Sequence, residues 1–133
     1  MLERPTAYRF VYLAAICALA ALVASAAFAQ YSARWRVQLG DEAKSDGTLI
    51  FNVEREGGSV LQVYVSVTRA TPLNEIAAAI GDGFTEQLPA DEFDVTVDER
   101  GSVQLRKKGN APDFALELLR STVTGLKVRL NHR

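Results

Sequence analysis

The sequence predicts an α+β fold: a two-layer sandwich in which a mainly antiparallel sheet is covered on one face by two helices. Three observations predict it. From Arg34 onward most of the chain alternates apolar and polar residues with a period of two, the mark of strands with one buried face. Two segments break from that period to helical spacing. Short glycine-bearing turns join neighbouring alternating runs, as hairpins require.

Taken in order, Trp35, Val37 and Leu39 alternate with Arg34, Arg36 and Gln38, and Leu49, Phe51 and Val53 form the next apolar face. Leu61, Val63, Val65 and Val67 alternate with Gln62, Tyr64, Ser66 and Thr68 in the cleanest strand of the chain. Thr71 is then read as a cap and Pro72 as a first helical residue. Leu73, Ile76, Ala77, Ile80 and Phe84 make one stripe of a helix. Gly81 and Gly83 weaken this helix, which is expected to stop near Ile80 or fray toward Leu88. Phe93, Val95 and Val97, then Val103 and Leu105, read as two further strands. Pro112 is read as opening a second, shorter helix with Phe114, Ala115, Leu118 and Leu119 inside and Gly125 beyond its end. Leu126, Val128 and Leu130 against Lys127, Arg129 and Asn131 read as the last strand.

Glu56-Gly57-Gly58 and Asp98-Glu99-Arg100-Gly101 are the expected hairpin turns. The two hairpins share a pattern, each followed by a predicted helix, but any two hairpins share this grammar and duplication is not inferred. From Val60 the element order is β-α-β-β-α-β, the ferredoxin-like arrangement. That arrangement would take the strand around Val63 away from the strand around Phe51, and a local hairpin ordinarily wins such a contest.

Ahead of this domain lies a different kind of segment. Arg4 and Arg9 precede an unbroken small and apolar run from Phe10 to Ala24, closed by Ala27-Phe28-Ala29. A positive start, an apolar middle and an A-x-A exit describe a secretory signal peptide. Residues 1–29 are therefore expected to be cleaved and 30–133 to form a single domain, exported to the periplasm or secreted. The alternative is an uncleaved membrane anchor, since Phe10 to Phe28 approaches the ~20 residues that span a bilayer. The sole cysteine, Cys17, lies in this run, so the remaining domain has no disulfide or thiol chemistry to draw on. Beyond Ala29, 13 Lys and Arg face 15 Asp and Glu, which gives no electrostatic case for nucleic acid or for an anionic membrane. The membrane enters as a partner only if the leader is retained.

Leu73-Asn74-Glu75-Ile76-Ala77-Ala78-Ala79-Ile80, followed by Phe93-Asp94-Val95-Thr96-Val97 and Gly101-Ser102-Val103-Gln104-Leu105, resembles a known pattern. It is similar to the IN motif of flagellar filament and hook-associated proteins and to decorating domains of phage tails, over roughly residues 60–118. The resemblance implies a strand, a helix and a hairpin forming a compact structural insert, and a non-enzymatic character.

No catalytic, cofactor-binding or metal-binding residue is expected. His132 is the only histidine and the penultimate residue, which leaves no Ser-His-Asp or Cys-His arrangement. Asp91, Glu92 and Asp94 are read as a solvated strand face. Asp41 to Gly47 is read as an acidic connector that lacks the ligand spacing of a calcium loop. Gly81-Asp82-Gly83 does not follow a strand and so is not a phosphate loop. Contact residues are expected instead: Arg34, Arg36, Arg106, Lys127 and Arg129 on one polar sheet face, with Tyr64 among them. These would suit an acidic protein partner or an anionic polymer such as a cell-wall component. The function expected is an exported, non-enzymatic protein-interaction or structural module of the cell envelope. The alternative is a small-ligand carrier, or an inhibitor of an exported enzyme, with the ligand held between sheet and helices.

Overall fold

The computed structural model describes residues 30–132. Strands β1 (Arg34–Gly40), β2 (Gly47–Arg55) and β3 (Val60–Val67) are followed by helix α1 (Leu73–Gln87). After it come β4 (Phe93–Asp98), β5 (Ser102–Lys107), β6 (Phe114–Ser121) and β7 (Lys127–His132). The strands form two sheets, one with the order β4-β5-β1-β7 and one with the order β3-β2-β6. Every pairing is antiparallel.

Local chemistry explains the two tight hairpins. Gly57 sits at φ 71° and Gly101 at φ 86°, left-handed conformations that glycine adopts without a Cβ penalty. The Gly58 N–H donates to the Arg55 carbonyl at 2.9 Å, and the Gly101 N–H to the Asp98 carbonyl at 3.2 Å. The β2–β3 hairpin therefore forms, and β3 lies at an edge. The ferredoxin-like order, which would place β3 centrally, is not the topology found.

Inward residues of both sheets and of α1 meet in one core. Val37, Leu49, Phe51, Val53, Val63, Ile80, Phe84, Val103, Leu105 and Phe114 are fully buried in it. Phe51 meets Phe84 edge to face at 5.3 Å, and Phe93 meets Phe114 at 5.2 Å. Burying each such side chain contributes roughly 1.5–3 kcal/mol. The Trp35 indole N–H donates to the Phe114 carbonyl at 2.8 Å, which ties β1 of one sheet to β6 of the other.

The second predicted helix is a strand. Residues after Pro112 satisfy both periods: Phe114, Ala115, Leu118 and Leu119 suit a helix, but Phe114, Leu116 and Leu118 also alternate with Ala115 and Glu117. Pairing decides between them. β2 is the central strand of its sheet and needs a second neighbour, which β6 supplies from Arg55↔Phe114 to Leu49↔Ser121. A bulge at Phe51↔Leu118 and Ile50↔Arg120 leaves Leu119 unopposed and half exposed. Among the described residues one helix, not two, therefore accompanies the strands.

Helix α1 runs through the two glycines instead of stopping before them, because its buried face lies too close to the sheets for side chains. A Cβ at Gly83 would stand 3.0 Å from Cγ2 of Val65, and one at Gly81 would overlap Cγ2 of Val97. Thr71 does not cap the helix, since its hydroxyl donates to the Thr68 carbonyl at 2.7 Å. Tyr31 onward forms one compact unit. Among the described residues no helix is long and apolar enough to cross a membrane. The signal peptide or anchor read in residues 1–29 lies outside the described residues.

Candidate functional site

Strand register gathers the predicted cations. Arg34 stands opposite Arg106 and Arg36 opposite Gln104 across the β1–β5 ladder. On the other side of β1, Arg36 faces Asn131, Gln38 faces Arg129 and Gly40 faces Lys127. Side chains opposite one another in an antiparallel ladder share a face. Arg34, Arg36, Arg106, Lys127 and Arg129 therefore all project from the outer face of the four-stranded sheet, and all are exposed. Tyr64 does not join them. It stands on β3 in the other sheet, opposite Ile50, with its hydroxyl donating to Gln62 Oε1 at 2.7 Å. Alternation told inside from outside correctly at Tyr64, but it carries no information about which sheet a strand joins.

Two of these cations are neutralised locally. Arg106 pairs with Asp94 at 2.9 Å and Lys127 with Asp41 at 3.3 Å. Among the described residues Arg34, Arg36 and Arg129 make no ion pair. Arg34 directly opposite Arg106 is an unfavourable arrangement by itself, and Asp94 relieves only the second of them.

The face is not flat. A depression of about 440 Å³ is lined by Arg36, Gln38, Asp41, Arg100, Lys127 and Arg129 among others. A second, of about 300 Å³, adjoins it at Arg36 and Gln38 and is lined also by Arg34, Gln104, Asn131 and His132. Arg100, on the β4–β5 turn, adds a cation that alternation cannot select, because a turn residue has no periodicity to place it. His132 lies in β7 and not in a loose tail, with its ring 4.8 Å from the Trp35 indole.

The remaining charged motifs have structural partners. Lys107 pairs with Asp113 at 2.8 Å and Lys108 donates to the Ala90 carbonyl at 2.8 Å. The Asp91, Glu92 and Asp94 group does not converge: Glu92 takes both of its bonds from Arg55 Nη1, at 2.9 and 2.7 Å, while Asp94 is held by Arg106. In the acidic connector, Asp46 accepts the Arg69 N–H at 2.7 Å and Ser45 accepts the Thr124 N–H at 3.0 Å. Among the described residues no group of three or more His, Cys, Asp or Glu could hold a metal ion. A smaller depression of about 170 Å³ lies where the C-terminal end of α1 meets β4, between Phe84, Leu88, Phe93 and Asp94.

The outer face of the three-stranded sheet has another character. Val60, Tyr64 and Leu119 are exposed there. Tyr31 lies near Glu54, and partial desolvation, followed by the charge and hydrogen bond of Glu54, raises its phenol pKa above the usual value.

No protein-family model matches the chain, and no curated protein matches it. Residues 60–118 fold as β3, α1, the β4–β5 hairpin and the first part of β6.

Proposed function

We propose that this chain is an exported, non-enzymatic module that acts by protein contact or as a structural part of the cell envelope, and that the outer face of the β4-β5-β1-β7 sheet is its contact surface. One observation carries the reading. Five cations from three strands share that face, and three of them are left without a carboxylate among the described residues. Fold stability gains nothing from this, since unpaired like charges on one face repel. A complementary acidic surface would neutralise them and gain from their orientation.

The leader sequence supports the export part of the reading, and a retained leader would make the same domain a tethered subunit outside the cytoplasm. Close packing of α1 against Val63, Val65 and Val97 favours the contact reading over a ligand held between helix and sheets. The carrier reading draws its support from the 440 Å³ depression, which falls within the ~300–1,000 Å³ of small-molecule sites. Its ligand would be a small anion held by Arg36, Arg100 and Arg129.

A photo-cross-linking residue placed at Gln38, compared with one at Glu117 on the opposite sheet, tests the contact surface in cells. Discrete adducts are expected from Gln38, and they should disappear when Arg36, Lys127 and Arg129 are all changed to Glu. Equal labelling from both positions, or adducts indifferent to the charge reversal, overturns the reading. The N-terminal residue of the protein recovered from soluble and membrane fractions tests export: Gln30 in the soluble pool is expected, and an intact Met1 in the membrane pool indicates the tethered form.

A further inference from the structure

We infer that β7 is an acceptor for an added strand, and that the strand it accepts is an extended peptide alternating acidic and apolar residues. This deepens the basic-face reading and rests on it.

The direction of the β7 backbone follows from hydrogen bonds elsewhere. In a strand, the N–H and C=O of one residue leave on the same side. The Leu39 N–H donates to the Gly101 carbonyl at 3.1 Å, and the Ala33 carbonyl accepts the Lys107 N–H at 3.0 Å. The odd-numbered residues of β1 therefore direct their backbone groups toward β5, and the even-numbered ones toward β7. Arg36, Gln38 and Gly40 thus bond with Asn131, Arg129 and Lys127, their register partners. The backbone groups of Val128 and Leu130 must point the other way, off the sheet. Among the described residues β7 is the last strand of its sheet, and no ladder joins it to β6.

An unpaired row of backbone donors and acceptors is a template for another strand. Two features make this edge selective. On the outer side, Lys127 and Arg129 flank the outward-directed groups of Val128. Lys127 shares its charge with Asp41 at 3.3 Å, and Arg129, without a carboxylate partner among the described residues, brings the uncompensated positive charge to the edge. A strand of like charge, including β7 of a second copy, would place Lys and Arg against Lys and Arg. On the inner side, Leu118, Val128 and Leu130 are only partly buried where β6 and β7 border the core. An added strand would lay its acidic side chains on the cations and its apolar side chains over this seam. Main-chain bonds would supply affinity and the alternation would supply specificity.

The opposite treatment of another edge supports the assignment. At β3 the Gln87 carboxamide accepts the Tyr64 N–H at 2.9 Å and donates to the Tyr64 carbonyl at 2.8 Å, blocking the middle of that edge. Among the described residues nothing equivalent meets β7.

The test uses the protein as purified from cells and three synthetic peptides the length of β7 with blocked ends. The first alternates Glu and Val, the second Lys and Val, and the third is the Glu–Val peptide N-methylated at its Val amides. The Glu–Val peptide is expected to bind and to slow hydrogen exchange at the Val128 and Leu130 amides. Both other peptides should bind at least about tenfold more weakly. For the N-methylated peptide that is the loss expected when main-chain bonds are removed and their partners left unpaired. Leu130→Pro should weaken binding similarly, because it deletes an outward N–H that the β1–β7 ladder does not use. If that variant fails to fold, the N-methylated peptide on the unaltered protein answers the same question.

Binding that survives both N-methylation and Leu130→Pro overturns strand addition, as does no binding by the Glu–Val peptide. If Arg36, Lys127 and Arg129 changed together to Gln abolish a binding that those two changes leave intact, the basic face stands and only strand addition falls. Where no peptide binds, the Gln38 cross-link decides the basic face separately.

Discussion

Replacing Gly83 with Ala sets two opposed effects against each other, and the structure decides which prevails. Glycine in a helix interior costs about 0.8–1.0 kcal/mol relative to alanine, so a free helix would gain. Here the new Cβ would lie 3.0 Å from Cγ2 of Val65 and 3.5 Å from Cγ1 of Val63. The first distance is inside the ~3.5–4.0 Å optimum for carbon pairs. Val65 is 4% exposed and Val63 0%, and a β-branched side chain on a paired strand has no easy alternative rotamer. Overpacking of this kind costs about 1–3 kcal/mol. The expected net is a destabilisation of about 1 kcal/mol, read as a fall of roughly 4–8 °C in the unfolding midpoint of a domain this size. Circular dichroism melts of four proteins provide the decisive form: wild type, Gly83→Ala, Val65→Ala and the double variant. In the Val65→Ala background the obstructing methyl is gone, so Gly83→Ala should become stabilising by about 1 kcal/mol. That reversal of sign is the coupling a contact predicts. A rise in midpoint for Gly83→Ala alone, or equal shifts in both backgrounds, refutes the close-packing account of this glycine.

Three further outcomes follow from contacts of the same structure. Trp35→Phe should cost about 1–2 kcal/mol in chemical denaturation, from the lost indole N–H and a smaller ring, while the Phe114 carbonyl keeps the Ser32 N–H at 2.9 Å. Glu92→Gln should cost about 1 kcal/mol, and high salt should narrow the gap from wild type, because the Arg55–Glu92 pair at 2.7 Å is only partly exposed. The Tyr31 phenol, isolated by subtracting the spectrum of Tyr31→Phe, should ionise at higher pH than a free tyrosine, and Glu54→Gln should lower it only in part, because desolvation, the larger cause, remains. Since its folded pKa is raised, the folded state holds that proton more firmly, so its contribution to stability is present below the unfolded value and is lost as pH rises through the raised one.

Legibility differed by the kind of information a residue pattern holds. Alternation reports which side of a strand is buried, and it placed Arg34, Arg36, Arg106, Lys127 and Arg129 outward before any pairing was known. It does not report partners, so it cannot separate the sheet of Tyr64 from that of the cations, or two sheets from one. From Phe114 to Leu119, five apolar residues interrupted only by Glu117 fit both periods, and only the unfilled side of β2 separates them. The glycines of α1 looked like defects, because a sequence shows the propensity cost of glycine and not the valine facing it. Gln87 and Arg100 carried no signal, as each acts through a neighbour far away in sequence.

These limits bear on where function can reside in such a fold. A domain built of two sheets has four sheet edges, and each exposed edge risks indiscriminate pairing. Here Gln87 closes β3 at its middle, the bulge at Leu119 interrupts the pairing of β6 with β2, and α1 packs beside β4. Among the described residues β7 has none of these. It carries Lys127 and Arg129 instead, which deter self-pairing without removing the capacity to pair. Charge is the one edge defence that an opposite charge can undo. The cations that isolate β7 from its own kind are the same ones that would select an acidic partner, so protection of the fold and recognition of a partner follow from a single arrangement on one face.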